Sequence, residues 1–107
     1  MIYEWRIYEV APGKMSTLHD RFQKVTLRLF KKHGIKVIGF WEEASSTSNR
    51  LYYMVAFNSL EERDKCWSSF TSDPEWIEAR KETEKNGPIV QKASNLILVP
   101  TAYSPLR

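Results

Sequence analysis

Arg6 is the residue of this 107-residue chain whose type and position best suit binding chemistry. Apolar and polar residues alternate over positions 2–10, which predicts a strand. Glu4, Arg6 and Tyr8 then lie on one face of that strand. A guanidinium on such a face can clamp a carboxylate or another anion. The alternative is an ion pair between Arg6 and Glu4, because residues two apart on a strand share a face.

Four aromatic residues are candidates for lining a small-molecule pocket, since such pockets are mostly apolar with a few polar groups. They are Tyr8, Trp41, Tyr52 and Tyr53. Tyr52 and Tyr53 are neighbours on a predicted strand and point to opposite faces, so at most one of them lines a given cavity. Packing in the core or at an interface explains the same residues equally well. The sequence leaves both uses open.

The other reactive residue types argue against several classes of site. His19 and His33 lie about 21 Å apart along one predicted helix, so they cannot share a metal within one chain. Cys66 has no histidine near it in the sequence and is interpreted as a packing residue. The sequence contains no phosphate loop, zinc spacing, nucleophile elbow or dinucleotide fingerprint. We therefore expect no metal and no cofactor.

The elements that position these residues follow the order strand, helix, strand, strand, helix, strand. Apolar residues at spacings of three and four predict one long helix over residues 14–33, and Gly34 is placed to end it. A capping box at Ser59 and the pair Asp73-Pro74 predict two more helix starts. The predicted strands cover residues 2–10, 36–43, 51–57 and a stretch within 89–99, with a polar hairpin loop over 45–49.

This order of elements predicts one α+β domain over residues 1–107. It is the ferredoxin-like βαββαβ arrangement, a four-stranded antiparallel sheet with its helices on one face. The runs Leu51 to Phe57 and Leu96 to Val99 are apolar without alternation, so both faces of the sheet need cover. We expect a homodimer with a lined cavity between its two sheets. In this arrangement Trp5 and its neighbours face the helices, and Arg6 faces the cavity.

The bulk composition is that of an ordinary globular protein, with 42% hydrophobic and 27% charged residues. The net charge of +3 is weak evidence for an anionic partner. No run is long enough to span a membrane, and residues 2–10 are typical of a strand rather than a signal peptide. We expect a cytoplasmic protein without a membrane span.

Several stretches resemble the NIPSNAP family, and together they cover essentially the whole chain. The opening Tyr3-Glu4-Trp5-Arg6-Ile7-Tyr8, followed by Pro12-Gly13-Lys14, resembles the first strand and turn of that family. The remaining matching stretches are residues 33–34, 37–41, 56–63, 73–76 and 103–106.

The resemblance implies a dimeric α+β barrel, in which two ferredoxin-like sheets pack face to face. The wider superfamily is similar to cofactor-free monooxygenases, small isomerases and haem-degrading enzymes, and the family itself implies no established reaction. Members often carry a His and a Trp in the third strand, where this chain has Tyr53 and Val55. The haem-degrading relatives carry an iron-binding His on the second helix, and residues 60–85 contain none.

The sequence therefore predicts a homodimer that binds a small hydrophobic or anionic molecule in the cavity between the sheet and its partner. The candidate binding residues are Arg6, Tyr8, Trp41, Tyr52 and Tyr53. The alternative is a cofactor-independent monooxygenase or isomerase, in which Arg6 stabilises a developing anion and a tyrosine supplies a proton. The sequence names no catalytic residue with certainty.

Two further classes of partner are less well supported. An RNA-binding module shares this order of strands and helices, but Glu4 on the predicted open face would repel phosphate, so we expect no nucleic acid. A basic stripe on the outer face of the first helix suits either an anionic protein partner or plain solvent. That stripe consists of Arg21, Lys24, Arg28 and Lys31.

Overall fold

The computed structural model describes residues 1–45 and 48–107, which form the predicted ferredoxin-like α+β fold. The strands are β1 (Ile2–Val10), β2 (Lys36–Trp41), β3 (Arg50–Phe57) and β4 (Val90–Leu98). The helices are α1 (Met15–Arg21), α2 (Leu27–Lys32), α3 (Leu60–Thr71) and α4 (Pro74–Thr83). The strands pair antiparallel in the order β2-β3-β1-β4. The hairpin loop predicted over 45–49 includes residues 46–47, which lie outside the described residues.

The predicted caps set the helix ends. Gly34 follows α2 with a φ of +78°, the left-handed conformation that glycine adopts without strain. The Ser59 hydroxyl accepts a hydrogen bond from the Glu62 N–H at 3.1 Å, and the Asp73 carboxylate accepts one from the Glu75 N–H at 2.8 Å. These two contacts begin α3 and α4 where the sequence predicts them.

The first helix is not continuous, because a π-helical segment, Phe22–Thr26, joins α1 to α2. Hydrogen bonds in a π-helix run from residue i to i+5, so an extra residue enters the turn and later positions rotate about the axis. Thr26 is buried, and Val25, which the apolar spacing places inward, packs against the core but is only partly buried. Arg21 is also buried, so its place in the predicted exposed basic stripe is wrong.

Glu4, Arg6 and Tyr8 face the helices, so the predicted orientation of β1 is wrong. Arg6 is paired in register with Tyr53, which is fully buried under the helices, and directly paired residues share a face. The Arg6 guanidinium lies 4.5 Å from the ring centre of Trp67 in α3. The alternation separated the two faces of β1 correctly, but each face carries aromatic residues, so it did not show which one lies under the helices.

The opposite side of the sheet is apolar, and no helix of the described residues lies over it. Trp5 packs there against Trp41 and Tyr52, with ring centres 5.6 and 5.9 Å apart. Tyr52 lies on this side and Tyr53 lies under the helices, so the two point to opposite faces as predicted. We call this side the open face, formed by Trp5, Ile7, Trp41, Tyr52, Met54, Leu96 and Leu98.

Candidate functional site

A cavity of about 310 Å³ lies between the sheet and the helices of the single chain. The sheet contributes Arg6 and Tyr8 from β1 and the first residues of β4, Val90 to Ala93. The π-helical segment contributes Phe22 and Thr26. Its volume is at the lower end of the range for pockets that hold small molecules, roughly 300–1,000 Å³. The fold therefore forms a ligand-sized space within one protomer.

Aromatic side chains from three helices form one side of this cavity. The ring centre of Phe70 lies 5.0 Å from that of Phe30 and 4.7 Å from that of Trp76. Trp67 packs edge-on against Phe30 at 5.5 Å. These separations lie in the range preferred by aromatic pairs, so the rings support one another. We call Phe30, Trp67, Phe70 and Trp76 the aromatic surface of the cavity.

A buried carboxylate anchors the sheet end of the cavity. Glu4 is 0% exposed and accepts hydrogen bonds from three kinds of donor. Arg63 donates through Nε at 2.8 Å and Nη2 at 3.0 Å, and Trp67 Nε1 donates at 2.8 Å. Arg6 Nη1 at 2.8 Å and the Asn95 side-chain amide at 3.0 Å complete the set. The ion pair offered as the alternative role of Arg6 is therefore present.

The Glu4 network holds its carboxyl in the charged form. Burial raises the pKa of this carboxyl, but the hydrogen bonds from Arg63 and Trp67 and the positive charge of Arg6 outweigh that effect. The result is a pKa of about 2, compared with an ordinary value of 4.5. Glu4 thus neutralises part of the charge of two guanidiniums at all but strongly acidic pH.

We predict that acid destabilises the fold through Glu4. Because the pKa is lower in the folded chain than in the unfolded chain, the stabilisation is fully present above pH 4.5 and is lost as the pH falls towards 2. The expected loss is about 2–3 kcal/mol in the free energy of unfolding. Denaturant titrations at a series of pH values measure it, with Glu4→Gln as the reference that lacks this contribution. An equal acid response in both proteins would contradict the prediction.

Arg6 also organises a pair of tyrosines. Its Nε donates to the Tyr53 hydroxyl at 2.7 Å, and the hydroxyls of Tyr53 and Tyr8 are 2.7 Å apart. Burial raises the pKa of the Tyr53 phenol well above its ordinary value, and Tyr8 adds to this while Arg6 opposes it. Tyr53 therefore stays protonated near neutral pH. Tyr8, which lines the cavity, is the member of the pair placed to hydrogen-bond a ligand.

A second charged group lies at the α4 end of the cavity. Arg21 Nη1 donates to the Thr83 hydroxyl at 3.1 Å and lies 3.4 Å from a Glu84 carboxylate oxygen. Arg80 Nε donates to the same oxygen at 2.8 Å. The Arg21 guanidinium lies 4.9 Å from the ring centre of Trp76, within the range of a cation–π contact. Two guanidiniums therefore share one carboxylate at this end.

The five predicted binding residues fall into two groups. Arg6, Tyr8 and Tyr53 form one hydrogen-bonded cluster on the helix side of the sheet. Trp41 and Tyr52 lie on the open face, where the Tyr52 hydroxyl donates to Glu43 at 2.8 Å. A single pocket that contains all five is therefore absent from the described chain.

Sequence reasoning missed several residues that line the cavity. Arg21 is buried where it contacts Thr83 and Glu84 at the end of α4, and Thr26 lies in the π-helical segment, which no residue pattern in the sequence signals. Trp67 and Trp76 have the apolar character of ordinary packing residues, and nothing in their spacing shows that a cavity lies beside them. Arg80 and Glu84 were missed because only the packing of α4 against α1 brings them to Arg21.

Residues 1–45 and 48–107 contain neither a metal-binding cluster nor a membrane-spanning helix. No cluster of three or more His, Cys, Asp or Glu side chains with metal-binding geometry occurs there. In the same residues, no helix has the length and apolar character needed to cross a membrane.

Comparison with known proteins gives a family and a set of structural relatives. The NIPSNAP family model matches residues 3–105. An uncharacterised NIPSNAP domain protein from Burkholderia xenovorans is 22% identical, with 98% of this chain and 99% of that one covered and a TM-score of 0.83. A NIPSNAP family protein from Agrobacterium tumefaciens is 24% identical, with 99% and 98% covered and a TM-score of 0.87.

A more distant relative shows how widely the fold is used. A putative antibiotic biosynthesis monooxygenase from Nitrosomonas europaea is 10% identical, with 96% of this chain and 100% of that one covered and a TM-score of 0.64. No curated protein matches the sequence of this chain. Since the family model covers nearly the whole sequence, from the first strand to the C-terminal tail, the chain belongs to the NIPSNAP family.

Proposed function

We propose that this NIPSNAP protein is a homodimer that binds a small molecule in the cavity between the sheet and the helices of each chain. The observation that carries the proposal is the cavity itself, where an aromatic surface faces Arg6 and Tyr8. Apolar rings and fixed polar groups share the lining of this cavity, and small-molecule sites combine both kinds of group. The sequence analysis placed the ligand between two sheets, and we now place it on the helix side because Arg6 and Tyr8 lie there.

The open face supports the dimer. Trp41, Leu96 and Leu98 are 47%, 59% and 40% exposed in the single chain. Contiguous exposed apolar side chains of this kind mark interaction surfaces in soluble proteins. A second copy of the chain, packed with its own open face against this one, would cover both patches by the same contacts. The cytoplasmic location stays a prediction.

One observation favours catalysis as the second candidate function. The Tyr8 hydroxyl borders the cavity and is hydrogen-bonded to Tyr53, which Arg6 holds. In a cofactor-independent monooxygenase or isomerase, Tyr8 would give a proton to a developing oxyanion, and Arg6 would stabilise the charge that forms. On incubation in air, a change in the mass of the bound molecule would indicate oxygenation, and a change in its chromatographic retention at unchanged mass would indicate isomerisation; either change, absent in Tyr8→Phe, would favour catalysis over binding alone.

Native mass spectrometry of the purified protein, with a cavity-filling variant, tests the binding proposal. Ala93 is exposed on β4 and lines the cavity, so Ala93→Trp fills that space with little expected cost to folding. We expect the wild-type protein to be a dimer that carries a small molecule and Ala93→Trp to be a dimer without it. Ser68→Trp, an exposed position on α3 outside the cavity lining, is the matched control and should keep the molecule.

Two results would contradict the proposal. One is a wild-type chain that carries no molecule and takes up none of the hydrophobic acids and amides described in the next subsection. The other is a bound molecule that survives Ala93→Trp, because the site would then lie elsewhere.

A further inference from the structure

Resting on the proposed cavity site, we propose that its ligand is a hydrophobic carboxylic acid whose carboxylate binds Arg21. The Arg21 side chain is 7% exposed and lines the cavity. Nη1 is its only guanidinium nitrogen with a hydrogen-bond partner in residues 1–45 and 48–107. The buried Nε makes no hydrogen bond there. A buried donor without a partner costs free energy, so this edge of the guanidinium lacks the hydrogen-bond acceptor that would satisfy it.

Arg63 of the same chain shows what completes such an edge. Its Nε and Nη2 donate to the two oxygens of Glu4 at 2.8 and 3.0 Å. This paired arrangement is the preferred geometry between a guanidinium and a carboxylate. The same two nitrogens of Arg21 lack a partner in the described residues. A carboxylate from a ligand matches them in number, spacing and charge.

The charges around Arg21 favour an anion. Glu84 is shared between Arg21 and Arg80, so it compensates neither fully. Burial lowers the pKa of the Arg21 guanidinium, and the nearby Glu84 only partly opposes this. Lys92 adds a further positive charge at the cavity lining. One negative charge from a ligand would reduce this local excess of positive charge.

The remaining lining determines the rest of the ligand. Trp76 lies against the face of the Arg21 guanidinium, so the edge rather than the face of that group is left for binding. The aromatic surface begins at Trp76 and continues through Phe70 to Phe30. A carboxylate at Arg21 therefore places the body of its molecule beside apolar rings. This combination selects an acid with one charged end and an aromatic or aliphatic body.

Calorimetric titrations with matched pairs of acid and amide test the inference. The probes are 2-naphthoate and decanoate, each compared with its primary amide, which keeps the shape and removes the charge. We expect each acid to bind the wild-type protein roughly 10- to 100-fold more tightly than its amide, the effect of a charge-assisted buried contact. Ala93→Trp should abolish binding of both members of a pair, because they share the cavity.

Arg21→Gln is the central variant, and Lys24→Gln is its control. We expect Arg21→Gln to remove the preference for the acid while the amide binds as before. Lys24 lies three residues after Arg21, in the π-helical segment, is exposed and pairs with Asp20, so Lys24→Gln removes an equal charge without touching the cavity. Arg21→Lys keeps the charge but loses the paired nitrogens, and we expect it to retain only part of the preference. If Arg21→Gln fails to fold, Arg21→Lys tests the inference on its own, by its partial loss of the preference for the acid.

The outcomes separate this inference from the proposed function. Equal binding of acid and amide to the wild-type protein, or a preference that survives both Arg21 variants, overturns the acid inference while the cavity site stands. Acid binding that persists in Ala93→Trp also overturns it, because the acid would then bind elsewhere. If none of the four probes binds and the wild-type protein carries no molecule of its own, the proposed function is removed together with the inference; if none binds but the protein carries a molecule other than such an acid, only the inference is overturned.

Discussion

Glu4→Gln is expected to lower the free energy of unfolding by about 3–5 kcal/mol, because it leaves two arginines beside a neutral amide in the protein interior. The wild-type carboxylate takes five hydrogen bonds, and three of them come from the guanidiniums of Arg6 and Arg63. A glutamine side chain has only one acceptor oxygen. Its NH2 group is itself a donor, so it cannot replace the second carboxylate oxygen as an acceptor. Urea denaturation at pH 7 and a fixed protein concentration measures the loss.

Glu61→Gln is the matched control for this experiment. Glu61 lies on α3 and forms an exposed ion pair with Lys65, so the same chemical change there should alter stability little. If Glu4→Gln changed stability no more than Glu61→Gln does, the buried network would contribute nothing to the fold. Our description of Glu4 as the anchor of the cavity would then be wrong.

Leu96→Lys is expected to convert the proposed dimer into a monomer. Leu96 lies on the open face and is 59% exposed in the single chain, so lysine there costs the isolated fold little. In a symmetric dimer the change occurs in both copies and places two ammonium groups in one apolar interface. We expect the dissociation constant to rise roughly 100-fold or more, since central apolar contacts dominate interfaces. Sedimentation equilibrium measures the change.

Leu60→Lys controls for the chemistry of that substitution. Leu60 begins α3, is 56% exposed and lies off the open face, so it matches Leu96 in type and exposure. We expect Leu60→Lys to remain a dimer. The opposite pattern, with a dimeric Leu96→Lys and a monomeric Leu60→Lys, would show that the chain self-associates through its helices.

The fold was predictable because its signals are local. Alternation in β1, the left-handed glycine after α2, and the caps at Ser59 and Asp73 each depend on a few neighbouring residues. The orientation of β1 was not predictable in this way. Glu4 and Arg6 are polar, yet they lie under the helices because Arg63, 59 positions away from Glu4, completes their network.

The candidate site was predictable only in part, for a related reason. Arg6, Tyr8 and Tyr53 were singled out because a charged residue and aromatic residues stand out in strands, and the three form one hydrogen-bonded cluster. Arg21 was placed on the exposed face of its helix, because nothing in the sequence shows that Thr83 and Glu84, at the end of α4, contact it. Contacts with a distant part of the chain thus turned an expected surface charge into a lining group of the cavity.

The measurement that tests the account most directly is native mass spectrometry of Leu96→Lys, compared with the wild-type protein. The cavity is formed between the sheet and helices of one chain, so it does not need a partner. We predict that the monomeric variant still carries one small molecule, the same one that each wild-type protomer carries. A monomer that has lost the molecule, with its fold intact by circular dichroism, would place the ligand between the sheets of two chains and contradict our assignment of the site.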